Sequence, residues 1–312
     1  MSDNDKSGQT DGPATFEQVG IPERDKPPFV RLPEIPSLFE KRGSRFASLA
    51  PGHQLEPFLL FLAEVSRLQH ELASEPFEPA MPTEQDLRLR AANAMPTVPR
   101  EDLPNDPAVL DLFGRLLERA QRIEMPEMAS TALGRAQAAD ELARRAMLTA
   151  VVSDAIPMEA LPEHIFAAAA LQIAAAARSA KVPEEFVHPV ADGVCPCCGA
   201  PPVTSAIVGW PNFEGSRYVQ CSLCSARWNH VRVKCVSCGS TKGIAYQAIE
   251  EQPDAIKAET CDNCRTYVKI LNERTDPQLD GVADDVASLG LDLLVGEAGW
   301  RRAGVNPYLL GY

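Results

Sequence analysis

Eight of the nine cysteines in this chain stand as four C-x-x-C pairs: Cys195/Cys198, Cys221/Cys224, Cys235/Cys238 and Cys261/Cys264. A C-x-x-C turn sets two thiolates at neighbouring corners of a tetrahedron, and two such turns close a four-sulfur cage around one ion. Four pairs therefore imply two metal ions. Sulfur cages suit zinc and a single iron equally, and spacing alone does not separate them. The stretch also reads as an internal repeat. C-P-C-C-G-A (195–200) parallels C-V-S-C-G-S (235–240), and C-S-L-C (221–224) parallels C-D-N-C (261–264). A gap of 22 residues separates Cys198 from Cys221, and the same gap separates Cys238 from Cys261. Equal gaps favour two consecutive modules, each made from neighbouring pairs. A cross-braced arrangement, with the first and third pairs sharing an ion, is the alternative. Gly199 and Gly239 directly follow the second cysteine of their pairs. Glycine there permits a positive φ, which lets backbone N–H groups aim at the sulfurs. Cys197 lies inside the first pair, so Cys195-x-Cys197 is a rival assignment. The match to 235–240, with Gly199, favours Cys198 as the ligand and makes Cys197 a bystander.

Other candidate chemistry is sparse. The histidines, His53, His70, His164, His188 and His230, show no ligand spacing, and packing or surface roles suit them better. Arg217, Arg227, Arg232, Lys234 and Lys242 make the metal region locally basic. Charge balance around two dianionic cages explains this better than a nucleic-acid-binding ribbon, because the region has few aromatics. Asp284 and Asp285 are expected to lie off the apolar stripe of a last helix, facing solvent. No nucleophile elbow, phosphate-binding loop or dinucleotide fingerprint occurs. Nothing marks a catalytic centre.

The bulk numbers agree. A chain of 312 residues with 45% hydrophobic composition can bury a core and hold more than one domain. Its 30 basic and 43 acidic residues give a net charge of −13, which argues against general binding to phosphate backbones. The polar start lacks the apolar core of a secretory signal. The longest apolar run, 165–177, is short, Ala-rich and interrupted by Gln172, so no membrane span is expected. A cytoplasmic location follows as the expectation. Thiols stay reduced there, and regularly spaced cysteines serve as metal ligands.

The elements that must carry the cages divide the chain. Residues 1–27 read as a polar tail. Helical periodicity then runs through 28–185, with helices expected over 37–50, from Pro57, from Asp106-Pro107, over 131–152 and over 160–180. The last is Ala-rich on most faces, as suits a helix enclosed by others. From 190 the texture turns to strands and turns, with strands expected at 203–207, 217–220, 227–234 and 243–247. A first metal module is expected over 190–233 and a second over 234–275. A helix opening at Asp276-Pro277 and a docking tail complete the chain over 276–312.

The chain resembles the FdhE-type formate dehydrogenase accessory proteins. The resemblance rests on C-P-C-C-G-A-P-P-V (195–203), R-Y-V-Q-C-S-L-C-S-A-R-W (217–228), V-R-V-K-C-V-S-C (231–238), A-E-T-C-D-N-C-R-T-Y-V-K (258–269) and A-D-D-V-A-S-L-G-L-D (283–292). L-A-P-G-H-Q-L (49–55) and N-P-Y-L-L (306–310) extend it. It departs at Cys197, where the family usually has another residue, and at Trp228-Asn229-His230, where His usually follows Trp directly. The resemblance implies an α+β multidomain chain: an N-terminal helical bundle, two tandem rubredoxin-like or zinc-ribbon-like modules of four cysteines each, and a C-terminal helix. It further implies a non-catalytic cytoplasmic maturation factor that meets the catalytic subunit of a respiratory formate dehydrogenase before export. The eight paired cysteines would hold two iron ions, with zinc as the alternative, and self-association into a homodimer is an option. Asp284 and Asp285 are expected among the acidic contacts to the partner. A rubredoxin-like redox protein and a zinc-ribbon nucleic-acid binder are the competing functions.

Overall fold

The computed structural model describes residues 26–249 and 255–309. All but the last two positions of the expected 1–27 tail therefore lie outside the described residues. The helical half begins with α1 (Ser37–Leu49) and α2 (Glu56–Ala73), packed as a hairpin. α3 (Glu84–Ala92) follows, then α4 (Pro107–Arg119), α5 (Glu127–Ala138), α6 (Glu141–Val152) and α7 (Leu161–Ala180). As the Asp106-Pro107 pair predicts, the Asp106 carboxylate caps α4 by accepting from the Ala108 N–H at 2.9 Å.

α7 is the axis of this half. Ala167, Ala168, Ala169, Ala170, Ala174 and Ala176 are all fully buried, and α2, α4, α5 and α6 pack around them. Alanine lets neighbouring backbones come close on every side. By length and composition 158–180 could also cross a membrane, but 72% of its most apolar 18-residue stretch is buried within the protein.

The expected helix over 131–152 is two helices. Ala139 is extended, and the Asp140 carboxylate accepts from the Ala143 N–H at 2.8 Å, restarting the chain as α6. α3 has no counterpart in the periodicity because only Leu87 is buried; a Thr83/Asp86 capping box starts it instead.

The cysteine half is one sheet. β1 (Val30–Arg31) belongs to it from the far end of the chain. β2 (Pro202–Ile207), β3 (Arg217–Cys221) and β4 (Arg227–His230) form one antiparallel ribbon. β5 (Ile244–Gln247), β6 (Ile256–Cys261) and β7 (Thr266–Asn272) form a second. The ribbons join through parallel pairing of β2 with β7, Ser205 opposite Ile270 and Ile207 opposite Asn272. The order is β1-β4-β3-β2-β7-β6-β5. The strand expected over 227–234 stops at His230, because Val231–Lys234 turn out into the next knuckle. β6 and β7 are not among the expected strands, although β7 is an interior strand, paired with β2, β6 and β8, with both faces covered.

The C-terminal helix does not open at Asp276-Pro277. Those residues make a turn, and helix begins only at α8 (Ala283–Ala287), then breaks at Ser288 before α9 (Leu289–Glu297). β8 (Arg301–Arg302) then pairs with β7. Beyond it, Gly304 presses against β2: a Cβ there would collide with the Pro202 carbonyl oxygen. Backbone cannot yield as a flexible side chain does. Gly304→Ala is expected to cost roughly 1–3 kcal/mol, read as a lower urea midpoint at unchanged slope.

Candidate metal centres

Each ribbon carries two knuckles. In the first, Cys195–Ala200 closes on itself: the Cys195 N–H donates to the Ala200 carbonyl at 3.0 Å and the Gly199 N–H to the Cys195 carbonyl at 3.0 Å. In the second, Cys235 and Ser240 do the same at 2.8 Å, with Gly239 to Cys235 at 3.0 Å. Gly199 and Gly239 have φ of +81° and +71°, the left-handed region that their position after the cysteine predicts. The other knuckles form the β3–β4 and β6–β7 turns. There Ser225 and Arg265, each directly after its second cysteine, take φ of +59° and +56°. The repeat in sequence is thus a repeat in backbone.

The pairs meet as neighbours and are not cross-braced. Cys195, Cys198, Cys221 and Cys224 form one group and Cys235, Cys238, Cys261 and Cys264 another, the Sγ atoms of each lying within 4.8 Å of one another. Sulfur–sulfur distances are 3.6 Å for Cys195–Cys224 and 3.4 Å for Cys198–Cys221. They are 3.7 Å for Cys235–Cys264 and 3.8 Å for Cys238–Cys261. A tetrahedron of metal–sulfur bonds of about 2.3 Å has edges of about 3.8 Å. Both groups therefore fit a four-coordinate ion. Backbone donors already point at the sulfurs: Leu223 and Cys224 N–H each reach Cys221 Sγ at 3.4 Å. In the second group, the Ser240 N–H holds the Cys238 thiol down at about 7, while burial pushes Cys235 up to about 12. A bound cation would bring all four sulfurs to thiolate.

Cys197 is buried beside the first group, within hydrogen-bonding range of Cys195 and Cys224, yet outside the set of four. Its carbonyl is engaged by the Val98 N–H at 2.8 Å. None of the described histidines joins either group. His230 instead contacts the Lys234 carbonyl through Nε2 at 3.1 Å, and burial pushes its pKa below the usual value.

Three of the five basic residues, Arg217, Arg227 and Lys234, are paired with acids of the protein. Arg217 is buried and reaches across the ribbons to Glu259 at 2.7 Å, while also bonding Ser205 Oγ at 2.7 Å. Arg227 pairs with Glu273 at 2.6 Å and Lys234 with Asp192 at 2.7 Å. These pairs tie β3 and β4 to the second half of the protein and the Lys234 turn to the first knuckle, while Arg232 and Lys242 are exposed.

Asp284 and Asp285 do not face solvent; they are 1% and 0% exposed. The short α8 lies between α1 and the sheet, so both of its acids point into protein. Asp284 is gripped by Arg45, with Nη2 at 2.7 Å from Oδ1 and Nε at 2.9 Å from Oδ2. Burial still pushes its carboxyl above the usual range. Asp285 pairs with Arg302, with Lys269 Nζ at 3.3 Å, and with Asn306 Nδ2 at 2.8 Å. Burial opposes its charge, but Arg302 and Lys269 prevail and hold it below the usual range. Lys269 also meets Asp292 at 2.5 Å. The exposed acidic contact expected at these two positions is therefore withdrawn.

A helical domain joined to a sheet bearing two four-cysteine groups defines the class: a mixed α+β protein with two tandem candidate metal modules. Within that class, three FdhE family models match end to end: the N-terminal model over 27–192, the central domain over 194–232 and the C-terminal domain over 233–309. The chain belongs to the FdhE family. It is 45% identical over 297 residues to an FdhE homolog of Rhizobium meliloti (strain 1021), covering 94% of this chain and 95% of that one. It is 35% identical to an FdhE homolog of Stutzerimonas stutzeri (strain A1501), covering 91% and 93%. The crystal structure of the FdhE protein from Pseudomonas aeruginosa matches with a TM-score of 0.81 at 32% identity, covering 91% of this chain and 99% of that chain.

Proposed function

We propose that this chain is a non-catalytic accessory protein that binds the catalytic subunit of a respiratory formate dehydrogenase in the cytoplasm, before export, and supports its maturation. The reading rests on one observation above all: a chain spanning the FdhE family's three domains carries two complete four-cysteine groups. Cys195, Cys198, Cys221 and Cys224 would hold one ion, and Cys235, Cys238, Cys261 and Cys264 the other. Iron is the proposed metal, with zinc as the alternative. The ions would supply folding energy to ribbons that have little core of their own. The internal pairing of Arg217, Arg227 and Lys234 supports this reading over a nucleic-acid ribbon.

The test is affinity capture of the tagged chain from cells growing anaerobically with formate. A formate dehydrogenase catalytic subunit should be recovered, and should be lost when Cys221 and Cys224 are both replaced by serine. Recovery of nucleic acid in its place would reject the assembly role.

A further inference from the structure

The two cages are built alike but enclosed unequally. In the first, all four cysteines are buried, as are the knuckle residues Pro196, Cys197, Ser222 and Leu223. The helical domain holds both knuckles from outside. Thr97, Val98 and Arg100 N–H groups donate to the carbonyls of Pro196, Cys197 and Cys198 at 3.2, 2.8 and 2.9 Å. Gln172 from α7 donates to the Ser222 carbonyl at 3.2 Å, and Arg42 from α1 to Ser225 Oγ at 3.0 Å. Within the described residues these sulfurs are enclosed, and access to them requires the joint between helices and sheet to open.

At the second cage, Cys238 is exposed and Cys264 is partly exposed. Asp262 and Asn263, which occupy the places of Ser222 and Leu223, both stand in solvent. Among the described residues the outward sulfurs are met by local donors: the Ser240 N–H and Asn263 Nδ2, the latter 3.5 Å from Cys238 Sγ, and Thr266 Oγ1, 3.0 Å from Cys264 Sγ. Its ribbon ends the sheet at β5, whereas β1 pairs along β4 at the end that carries the first cage.

We propose that the second cage is the exchange site of this protein. Its metal is open to soft donors from outside, small thiols or chelators, with Cys238 the ligand that yields, while the first cage is a closed structural staple. In such an exchange an incoming thiol would give its sulfur to the ion as Cys238 leaves it, and the proton that the thiol loses would pass to Cys238. The physical ground is access: a competing ligand must touch the ion's coordination sphere, and among the described residues the second set of four cysteines meets solvent while the first is buried. This inference rests on the metal-binding reading above.

The experiment uses the full chain loaded with zinc, its metal content measured first, then challenged with excess EDTA. Release is followed colorimetrically, and N-ethylmaleimide labelling is mapped by mass spectrometry. Two phases are expected, one ion per chain in each, separated by roughly 100-fold or more, because one site is reached locally and the other only through wider opening. Label should enter Cys235, Cys238, Cys261 and Cys264 in the fast phase and spare Cys195, Cys198, Cys221 and Cys224. Cys238→Ser should lose the fast phase and keep the slow ion. Release of both ions in one phase, or first labelling at the Cys195 group, would overturn the proposal even if the variant failed to fold. A folded native chain that takes up no zinc would instead reject the metal reading beneath it.

Discussion

Cys224→Ser is expected to leave one metal ion per chain where the native protein would hold two, and to remove most of the protein from the soluble, folded pool. The first cage is part of the main hydrophobic core: Cys195, Cys198, Cys221 and Cys224 pack in the same cluster as Phe166, Leu171 and Ala175 of α7. Structural zinc contributes about 10–16 kcal/mol in isolated zinc-finger peptides, and a domain's whole net stability is about 5–15 kcal/mol. Loss of even half the metal term would therefore unfold the joint between helices and sheet. Elemental analysis and thermal unfolding of the purified variant check both parts. Two ions retained per chain would show that the ligand set is wrong.

Asp285→Ala is expected to cost about 3–5 kcal/mol, because it leaves the buried Lys269 and the partly buried Arg302 with Asp292 as their remaining carboxylate. Lys269 is fully buried, and its ammonium also donates to the Asp285 and Ser288 carbonyls at 2.8 and 3.0 Å. The network ties β7 to α8, α9 and β8, so its loss should loosen the C-terminal segment from the second ribbon. Urea denaturation measures the cost; a loss under about 1 kcal/mol would mean that water reaches these groups as it does at a surface pair. A pH series adds a sign. The Asp285 carboxyl is held below its usual range when folded. Its stabilising contribution is therefore full above the unfolded value of about 4 and is lost as pH falls through the lower folded one. Native and variant chains should converge in stability toward low pH.

Much of the candidate site was legible residue by residue. Cysteine spacing and the matched gaps pointed to two consecutive groups, and Gly199 and Gly239 marked the left-handed turns that both knuckles use. The Ala-rich run of α7 correctly implied enclosure on all sides. Other signals existed and were outweighed. Asp140 is a cap residue, but the apolar spacing on either side of it reads through as one helix. Asp284 and Asp285 show the limit most clearly. On a long amphipathic helix adjacent acids face water, and nothing near them in sequence announces Arg45, Lys269 or Arg302 as partners.

The sequence by itself determined the pairing of the cysteines, their division into two repeats and the helical character of the first half. These depend on short-range spacing, where a turn or a helical stripe is set by residues a few places apart. Tertiary structure alone decided that the two ribbons merge through the parallel β2–β7 pairing into one sheet. It alone decided that α1 and α7 clamp the first cage, and that the acids of α8 turn inward. Each of those outcomes pairs residues separated by tens to hundreds of positions, and their partners become visible only when the packed core brings them within a few ångströms.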